Sequence, residues 1–269
     1  MAEYAGRGDA TRTMELLWRT GPRPGRGPRP SLDPEVIVTA AIEIADSEGL
    51  GAVSMRRVAE RLGRSAMTLY SYIPGKGELL DLMLDRVLAD HPREFDTGRG
   101  WRPAVEAAAR ASWDFQLRHP WVLQVAGGRA PLGPTGLDVY EAALRLFAGS
   151  GLTAEETVRA WGAVTSFVQG AARAVADARV AERETGVSDD DWWLARRPIL
   201  TEMMDAVPDR YPTLGRLSVE GAFDQADRAP GDDTSYLERE ALDAFEFGLR
   251  LLLDGIEATV ARRAPAPPP

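Results

Sequence analysis

The sequence contains no cysteine and only two histidines among its 269 residues. Without cysteine there is no disulfide framework, no thiolate metal site, no iron–sulfur cluster and no cysteine nucleophile. The sequence also lacks any stretch of about 18 apolar residues, and its beginning lacks the basic head and apolar run of a signal peptide. We therefore expect no membrane partner and a cytoplasmic protein.

The common catalytic motifs are absent as well. We find no G-x-S-x-G, no H-E-x-x-H, no G-x-x-x-x-G-K and no strand followed by a glycine-rich dinucleotide signature. The three acids Asp189, Asp190 and Asp191 precede WWLARR, and we interpret them as a helix start rather than a metal site. We predict that the protein is not an enzyme, with no catalytic residue, no metal and no cofactor.

The formal charge of −9 is unevenly distributed along the chain. Residues 31–50 carry five acids and no base, whereas residues 56–77 carry five bases and one acid, Glu60. A basic segment beside an acidic one predicts a local electropositive face, which is relevant to a polyanionic partner.

The ends of the chain are rich in proline. Residues 1–30 close with GPRPGRGPRP, so we predict a flexible arm there, and residues 263–269 are predicted to be a disordered tail. We interpret Arg23, Arg26 and Arg29 as part of a solubilising tail; the alternative is an arm that enters a DNA minor groove.

Helix starts and stops are well marked between the two ends. Asp33 and Pro34 predict a first helix that Gly49 ends, and Ser54 and Ser65 are expected to cap two short helices separated by Gly63. A fourth helix is predicted from about Gly77. Later helices are expected at 101–117, 136–148, 153 to about 178, 190–206 and 235–262. No alternating strand pattern occurs, so the predicted fold class is all-α.

Two of the later helices, 153–178 and 235–262, carry apolar residues on more than one face. One apolar stripe is enough to pack a helix onto its own domain. We predict that the surplus forms a homodimer interface, and the alternative is that both helices are buried within one large bundle.

The two short helices around Gly63 predict a helix-turn-helix. Leu69 and Ile73 are expected to point inward. The outward positions, which are available to a DNA major groove, are Ser65, Ala66, Met67, Tyr70 and Ser71.

Residues 31–90 resemble the N-terminal domain of the TetR family of bacterial transcriptional regulators. The segments that carry the resemblance are SMRRVAERLG, TLYSYI and GKGELLD, and weaker landmarks of the tetracycline-repressor branch follow, including RHPW at 118–121. The resemblance implies a DNA-binding domain at 31–77 and an effector-binding and dimerisation domain at 78–262. It also implies a homodimeric repressor that binds a palindromic double-stranded operator and is released by a small hydrophobic effector.

The resemblance assigns roles to individual positions. Arg56 matches a base reader, Thr68 and Lys76 match phosphate contacts, and Tyr70 matches a contact to backbone or base. Ala66 and Met67 occupy positions where the tetracycline repressor has base-reading residues of different chemistry. The complete predicted DNA-binding set is Arg56, Arg57, Arg64, Ser65, Ala66, Met67, Thr68, Tyr70, Tyr72 and Lys76.

The effector site is predicted from polar groups among the aromatic residues of the C-terminal domain. The candidate residues are Ser112, Gln116, Asp138, Trp161 and Thr165. Residues 125–128 contain no histidine, so the sequence does not favour a tetracycline–magnesium ligand, and we expect His119 to be structural. The alternative function is a helical adaptor or small-molecule-binding protein without sequence-specific DNA binding.

Overall fold

A computed structural model describes residues 3–4, 6, 8–20, 32–126, 132–205, 207–222 and 235–262. Its α-helices are α1 (Ala10–Trp18), α2 (Pro34–Glu48), α3 (Met55–Arg61), α4 (Ala66–Tyr70), α5 (Lys76–Val87), α6 (Trp101–Arg118), α7 (Pro134–Arg145), α8 (Ala154–Thr185), α9 (Asp189–Asp205), α10 (Pro212–Val219) and α11 (Tyr236–Ala261). Two-residue strands β1 (Glu3–Tyr4) and β2 (Val125–Ala126) form one parallel pair. The predicted all-α class is confirmed.

The helix starts follow the capping residues. The Asp33 carboxylate accepts a hydrogen bond from Glu35 N, Ser54 from Arg57 N and Ser65 from Thr68 N. Each bond satisfies one of the backbone donors that a first helical turn leaves free. Helix α2 ends at Gly49, whose φ of 86° favours glycine. The predicted starts of α2, α3 and α4 are confirmed.

The core of the N-terminal half is formed by α2, α3, α4 and α5 together with two aromatic residues from further along the chain. Leu79 and Met83 of α5 are completely buried in it, as is Trp121, while Phe115 is almost completely buried. Burying one such side chain stabilises a fold by about 1.5–3 kcal/mol. The predicted boundary between residues 77 and 78 therefore falls inside α5, because this helix packs in the same core as the helix-turn-helix.

The predicted flexible arm is wrong for part of residues 1–30, since Ala10–Trp18 forms helix α1. Asp9 caps it by accepting a hydrogen bond from Arg12 N, and Leu17 is buried. The prolines and glycines that suggested an arm belong mainly to residues 21–31, which lie outside the described residues, as does the predicted tail at 263–269.

Backbone amides of the N-terminal segment bind carboxylates of α5. Gly6 N donates to Asp81 Oδ1 at 2.9 Å, and Asp9 N donates to Glu78 Oε1 at 3.1 Å. A Cβ on Gly8 would lie 2.5 Å from Glu78 Oε1, so a larger residue there would displace the Glu78 carboxylate from its present position. We call Gly6, Gly8, Asp9, Glu78 and Asp81 the clasp.

A second polar contact joins α2 to the segment after α6. Asp46 Oδ1 accepts hydrogen bonds from His119 Nδ1 at 2.8 Å and from Trp121 Nε1 at 2.7 Å. His119 is buried. Its position agrees with the structural role expected for it.

The chain divides into two compact units, residues 1–170 with 249–269, and residues 171–248. The later helices lie close to the predicted ranges, except that α8 continues to Thr185, beyond its predicted end near residue 178. Helix α10 is an additional helix that the sequence analysis missed. Thr153 and Glu156 form a reciprocal cap at the start of α8, with hydrogen bonds of 2.9 and 3.3 Å. Across the described ranges, no helix is long and apolar enough to cross a membrane.

Candidate nucleic-acid interface

Helices α3 and α4 form the predicted helix-turn-helix. Gly63 lies between them with a φ of 63°, a left-handed conformation that glycine adopts without a steric cost. Leu69 and Ile73 are completely buried, so they fix α4 against the core as expected. The opposite side of α4 is therefore turned toward solvent.

The outward face of α4 combines exposed and half-buried side chains. Met67 is 77% exposed and Tyr70 is 45% exposed, and these two residues lie three positions apart on the same side of the helix. Ser65 is also exposed, whereas Ala66, Thr68 and Tyr72 are half-buried. The predicted residues of α4 and its flanks therefore lie at the surface or partly exposed, on an element that a major groove can admit.

The hydroxyl groups of α4 are largely used within the helix. Ser65 Oγ accepts a hydrogen bond from Thr68 N and lies 2.9 Å from Thr68 Oγ1. Ser71 Oγ donates to the Thr68 carbonyl at 2.6 Å. These contacts fix the helix start and leave Met67 and Tyr70 as its most prominent outward groups.

The arginines of α3 are paired with carboxylates. Arg56 Nε lies 2.8 Å from Glu60 Oε1, Arg57 lies 2.9 Å from Glu48, and Arg61 lies 2.8 Å from Glu43. All three pairs lie at the surface, where ion pairs between exposed side chains add little to the stability of the fold. The hydrogen bond from Arg56, reinforced by its charge, lowers the pKa of Glu60, so this carboxylate stays ionised.

The electropositive face expected from the sequence is therefore partly neutralised. The acids of α2 lie against the bases of α3, and residues 31–77 together carry a formal charge of −1. Arg64, in the turn between α3 and α4, is exposed. Its guanidinium contributes a positive charge to this surface.

Lys76 is the first residue of α5 and is half-buried. It is the only lysine in the sequence. The amino end of a helix carries a partial positive charge, which adds to the charge of the ammonium group. The predicted phosphate contact thus lies at a helix start, at the end of the segment that begins with α3.

The predicted effector residues do not form one hydrogen-bonded group in the described part of the chain. The hydroxyl of Ser112 lies 2.9 Å from His91 Nε2, and Thr165 Oγ1 donates to the Trp161 carbonyl. Gln116 is buried, and its Oε1 has no hydrogen-bond partner among the described groups. Asp138 is exposed on α7. Ser112 and Gln116 share one face of α6, and Trp161 and Thr165 share one face of α8, at a spacing of one helical turn.

No metal site is evident among the described residues, since no group of three or more His, Asp or Glu side chains lies together there. The acids at 189–191 form the first turn of α9, as predicted. Ser188 caps this helix by accepting a hydrogen bond from Asp191 N at 3.1 Å.

The sequence analysis missed the acidic partners of the interface. The spacing of Arg56 and Glu60 by four residues on a helix is a signal that predicts their pair. The pair of Arg61 with Glu43 joins two helices, and no sequence spacing indicates it. Asp46, which binds His119 and Trp121, was likewise counted only as one acid of an acidic segment.

The fold and this surface define a helix-turn-helix DNA-binding protein with a large helical C-terminal part. The comparison with known families agrees: residues 37–83 match the bacterial regulatory proteins of the tetR family, and residues 94–260 match the tetracyclin repressor-like C-terminal domain. The chain belongs to the TetR family of transcriptional regulators. Membership of this family decides against the adaptor alternative.

Individual relatives support the assignment. The chain is 46% identical over 263 residues to the HTH-type transcriptional repressor DrrR1 of Streptomyces coeruleorubidus, covering 97% of this chain and 90% of that protein. It is 27% identical over 230 residues to the class A tetracycline repressor protein from transposon 1721 of Escherichia coli, with coverage of 84% and 90%.

A solved structure shows the same architecture with a small molecule bound. The TetR family protein ActR of Streptomyces coelicolor, in complex with actinorhodin, matches with a TM-score of 0.67 and 26% identity. The match covers 85% of this chain and 97% of ActR.

Proposed function

We propose that this regulator is a repressor that binds a palindromic operator as a homodimer and leaves it when a small hydrophobic effector binds the C-terminal domain. The observation that carries the proposal is the outward surface of α4, on which Met67 and Tyr70 are exposed while Leu69 and Ile73 hold the helix in place. A short helix of this kind reads base edges in a major groove, while neighbouring groups hold phosphates and fix the register.

The residues divide into two roles in this proposal. Arg56 and the outward side chains of α4 contact base edges, and Arg57, Arg64, Thr68, Tyr72 and Lys76 contact phosphates. Arg56 is exposed and reaches Glu60 across one helical turn, so it can exchange this carboxylate for a guanine edge. Phosphate contacts act on all sequences alike, whereas base contacts discriminate between sequences.

Support for the homodimer comes from the apolar side chains that α8 and α11 leave exposed. Val158 of α8 and Phe247 and Leu251 of α11 are about half exposed, although the same helices bury Val164 and Leu249 completely. Both helices thus pack with some apolar side chains against the core of their own chain and leave other apolar side chains exposed, which is typical of an oligomer interface. The substitution Phe247→Glu is expected to shift the protein toward monomer in sedimentation, while Glu246→Gln, one residue away, keeps the dimer.

Support for a hydrophobic effector comes from the helical C-terminal part and from ActR, whose complex contains actinorhodin. Among the predicted effector residues, Gln116 is a buried amide whose oxygen lacks a protein partner in the described part of the chain. A buried amide oxygen without a partner costs free energy, and a ligand that donates a hydrogen bond to it would remove this cost. An effector releases DNA only if it binds the released conformation more tightly than the DNA-bound one.

The experiment that tests the proposal is selection of duplexes from a random pool with the full-length protein, followed by binding measurements at several salt concentrations. We expect a palindromic consensus, a complex of two chains per duplex and affinity that falls steeply with salt. Aromatic polyketides are then titrated into the complex, and release at a fixed salt concentration identifies an effector. Equal affinity for selected and scrambled duplexes would overturn the proposal.

A further inference from the structure

The first turn of α4 presents an apolar group where a DNA-reading helix usually carries a polar one. Met67 exposes 77% of its surface, and its thioether side chain has neither a strong donor nor a strong acceptor. The neighbouring side chains leave the surface around Met67 apolar. Ala66 adds only a methyl group, and the Ser65 and Thr68 hydroxyls lie within hydrogen-bond distance of each other. An exposed methionine side chain gains no free energy from its contact with water. It therefore contributes to binding only when an apolar group of a partner covers it.

The position of Met67 is fixed by the helix that carries it. Leu69 and Ile73 are completely buried, and Ser65 caps the helix through Thr68 N. These contacts leave α4 one orientation on the core, with Met67 and Tyr70 facing outward together. The methionine is thus placed by a rigid support, while its own side chain keeps three rotatable bonds.

The chemistry of the major groove selects the partner of such a group. Guanine, adenine and cytosine present donors and acceptors there, and covering them with a thioether removes water without replacing its hydrogen bonds. Thymine adds the C5 methyl, the only apolar group on a major-groove edge, and contact with it removes apolar surface from water.

We infer that Met67 packs on the C5 methyl of a thymine in each half-site, so that the operator of this protein is specified at that position by an apolar contact. The inference rests on the proposed function, because it requires α4 to lie in a major groove. Beyond the proposed function, the inference specifies one base of each operator half-site, a thymine, and the group on that base that the protein contacts, its C5 methyl.

The test uses the selected operator and changes one methyl group at a time. Each thymine of a half-site is replaced by deoxyuridine, which lacks only the C5 methyl. Because burial of one methyl group is equivalent to about a fourfold change in affinity, we expect one position per half-site to show that loss and the doubly substituted palindrome to lose about sixteenfold. At the same position, 5-methylcytosine is expected to bind more tightly than cytosine by a similar factor.

The protein variants complete the test. Met67→Ala keeps a good helix former at an exposed position, so it folds, and it is expected to bind thymine and deoxyuridine operators equally. Met203→Ala is the matched control, because Met203 is 64% exposed on α9 in the other compact unit, and it retains the discrimination.

The outcomes separate the inference from the proposed function. Sequence-selective binding without any methyl-sensitive thymine, or with a sensitivity that Met67→Ala retains, would overturn the inference and leave the regulator intact. Binding that does not distinguish selected from scrambled duplexes would overturn the proposed function, and the inference with it.

Discussion

Gly6 and Asp81 are 75 positions apart in the sequence, and Gly6 N donates a hydrogen bond of 2.9 Å to Asp81 Oδ1. Asp81 is completely buried, and its second oxygen, Oδ2, has no hydrogen-bond partner among the described groups. Burial raises the pKa of Asp81 above its ordinary value of 3.8. The hydrogen bond from Gly6 N acts in the opposite direction, and the nearby charge of Glu78 raises the pKa further. The clasp thus joins the N-terminal segment to α5 through a buried carboxyl group whose pKa is raised.

The first prediction concerns the pH dependence of this carboxyl group. A carboxyl whose pKa is higher in the folded state stabilises the fold when protonated, so its contribution decreases as pH rises above 3.8 through the raised pKa. Asp81→Asn keeps an oxygen acceptor for Gly6 N and carries no charge. We expect the stability of the wild type relative to Asp81→Asn to decrease from pH 4 toward pH 7.

Urea unfolding followed by circular dichroism over this pH range measures the difference. The matched control is Asp114→Asn, at an exposed aspartate of α6. Parallel stability curves for wild type and Asp81→Asn would contradict the raised pKa of Asp81.

The second prediction concerns His91, whose neutral tautomer is defined by its neighbours. Nδ1 lies 2.9 Å from the Pro92 carbonyl and must donate to it, so Nε2 accepts from the Ser112 hydroxyl at 2.9 Å. Burial lowers the pKa of His91 below 6.5, with a smaller effect of the same sign from Arg93. Its contribution to stability is therefore complete above pH 6.5 and is lost as pH falls through the lowered pKa.

Two-dimensional NMR of the imidazole groups checks this directly, because the sequence has only two histidines. His91→Phe assigns the signal and retains an aromatic ring beside Phe115. We expect the His91 signal to titrate below pH 6.5 and the variant to lose less stability between pH 7 and pH 5. A His91 signal that titrates at or above 6.5 contradicts the assignment.

The third prediction separates the two members of the Arg56–Glu60 pair. Arg56→Ala is expected to cost about 1–3 kcal/mol at particular base pairs and to relax the preference there. Glu60→Gln removes a negative charge from the DNA-facing surface and frees Arg56, so it should raise affinity for every duplex at low salt. Fluorescence anisotropy with the operator and single-base variants measures both effects, and Glu155→Gln, in an exposed pair on α8, is the control. An equal loss on cognate and scrambled DNA for Arg56→Ala excludes base reading by this residue.

The fourth prediction uses the single lysine. Acetylation of Lys76 removes its charge, whereas reductive methylation retains it. We expect acetylation to weaken binding to cognate and scrambled DNA by the same factor and to reduce the salt slope by about one for each protomer. Methylated protein should bind nearly as well as untreated protein, and bound operator should protect Lys76 from the reagent.

The control for this experiment is Lys76→Arg, which leaves no lysine in the chain. Any effect of the reagent on this variant arises elsewhere, for example at the amino terminus. If acetylation of the wild type leaves the salt slope unchanged, Lys76 does not contact phosphate.

Local features of the fold were predictable because they depend on neighbouring residues. Ser54 and Ser65 cap helices that begin one residue later, and Leu69 and Ile73 repeat at helical spacing. Helix α1 was missed because the Arg, Pro and Gly residues that follow it dominate the composition of that segment. Its burial depends on α5, which no local pattern reveals.

The candidate interface, too, could be predicted only where it depends on residues that are close in the sequence. The outward positions of α4 follow from helical periodicity, and the structure exposes Met67 and Tyr70 as expected. The charge of the surface did not follow from counting residues, because Glu43 and Glu48 of α2 meet Arg61 and Arg57 of α3. Ion pairs between two helices depend on how the helices pack. A count of charges along the sequence instead places these two acids in a separate acidic segment.

One carboxylate oxygen of Asp46 accepts hydrogen bonds from both His119 and Trp121. This shared acceptor limits which segments of the regulator can be exchanged for those of a related protein. A hybrid that takes its DNA-reading helices from another chain and its remaining helices from this one needs a carboxylate at position 46. Without it, two buried N–H groups lose their acceptor at once, at the junction where the donated part meets the retained part. The segment that can be exchanged as a unit therefore extends to Trp121, well beyond Lys76, the last of the predicted DNA contacts.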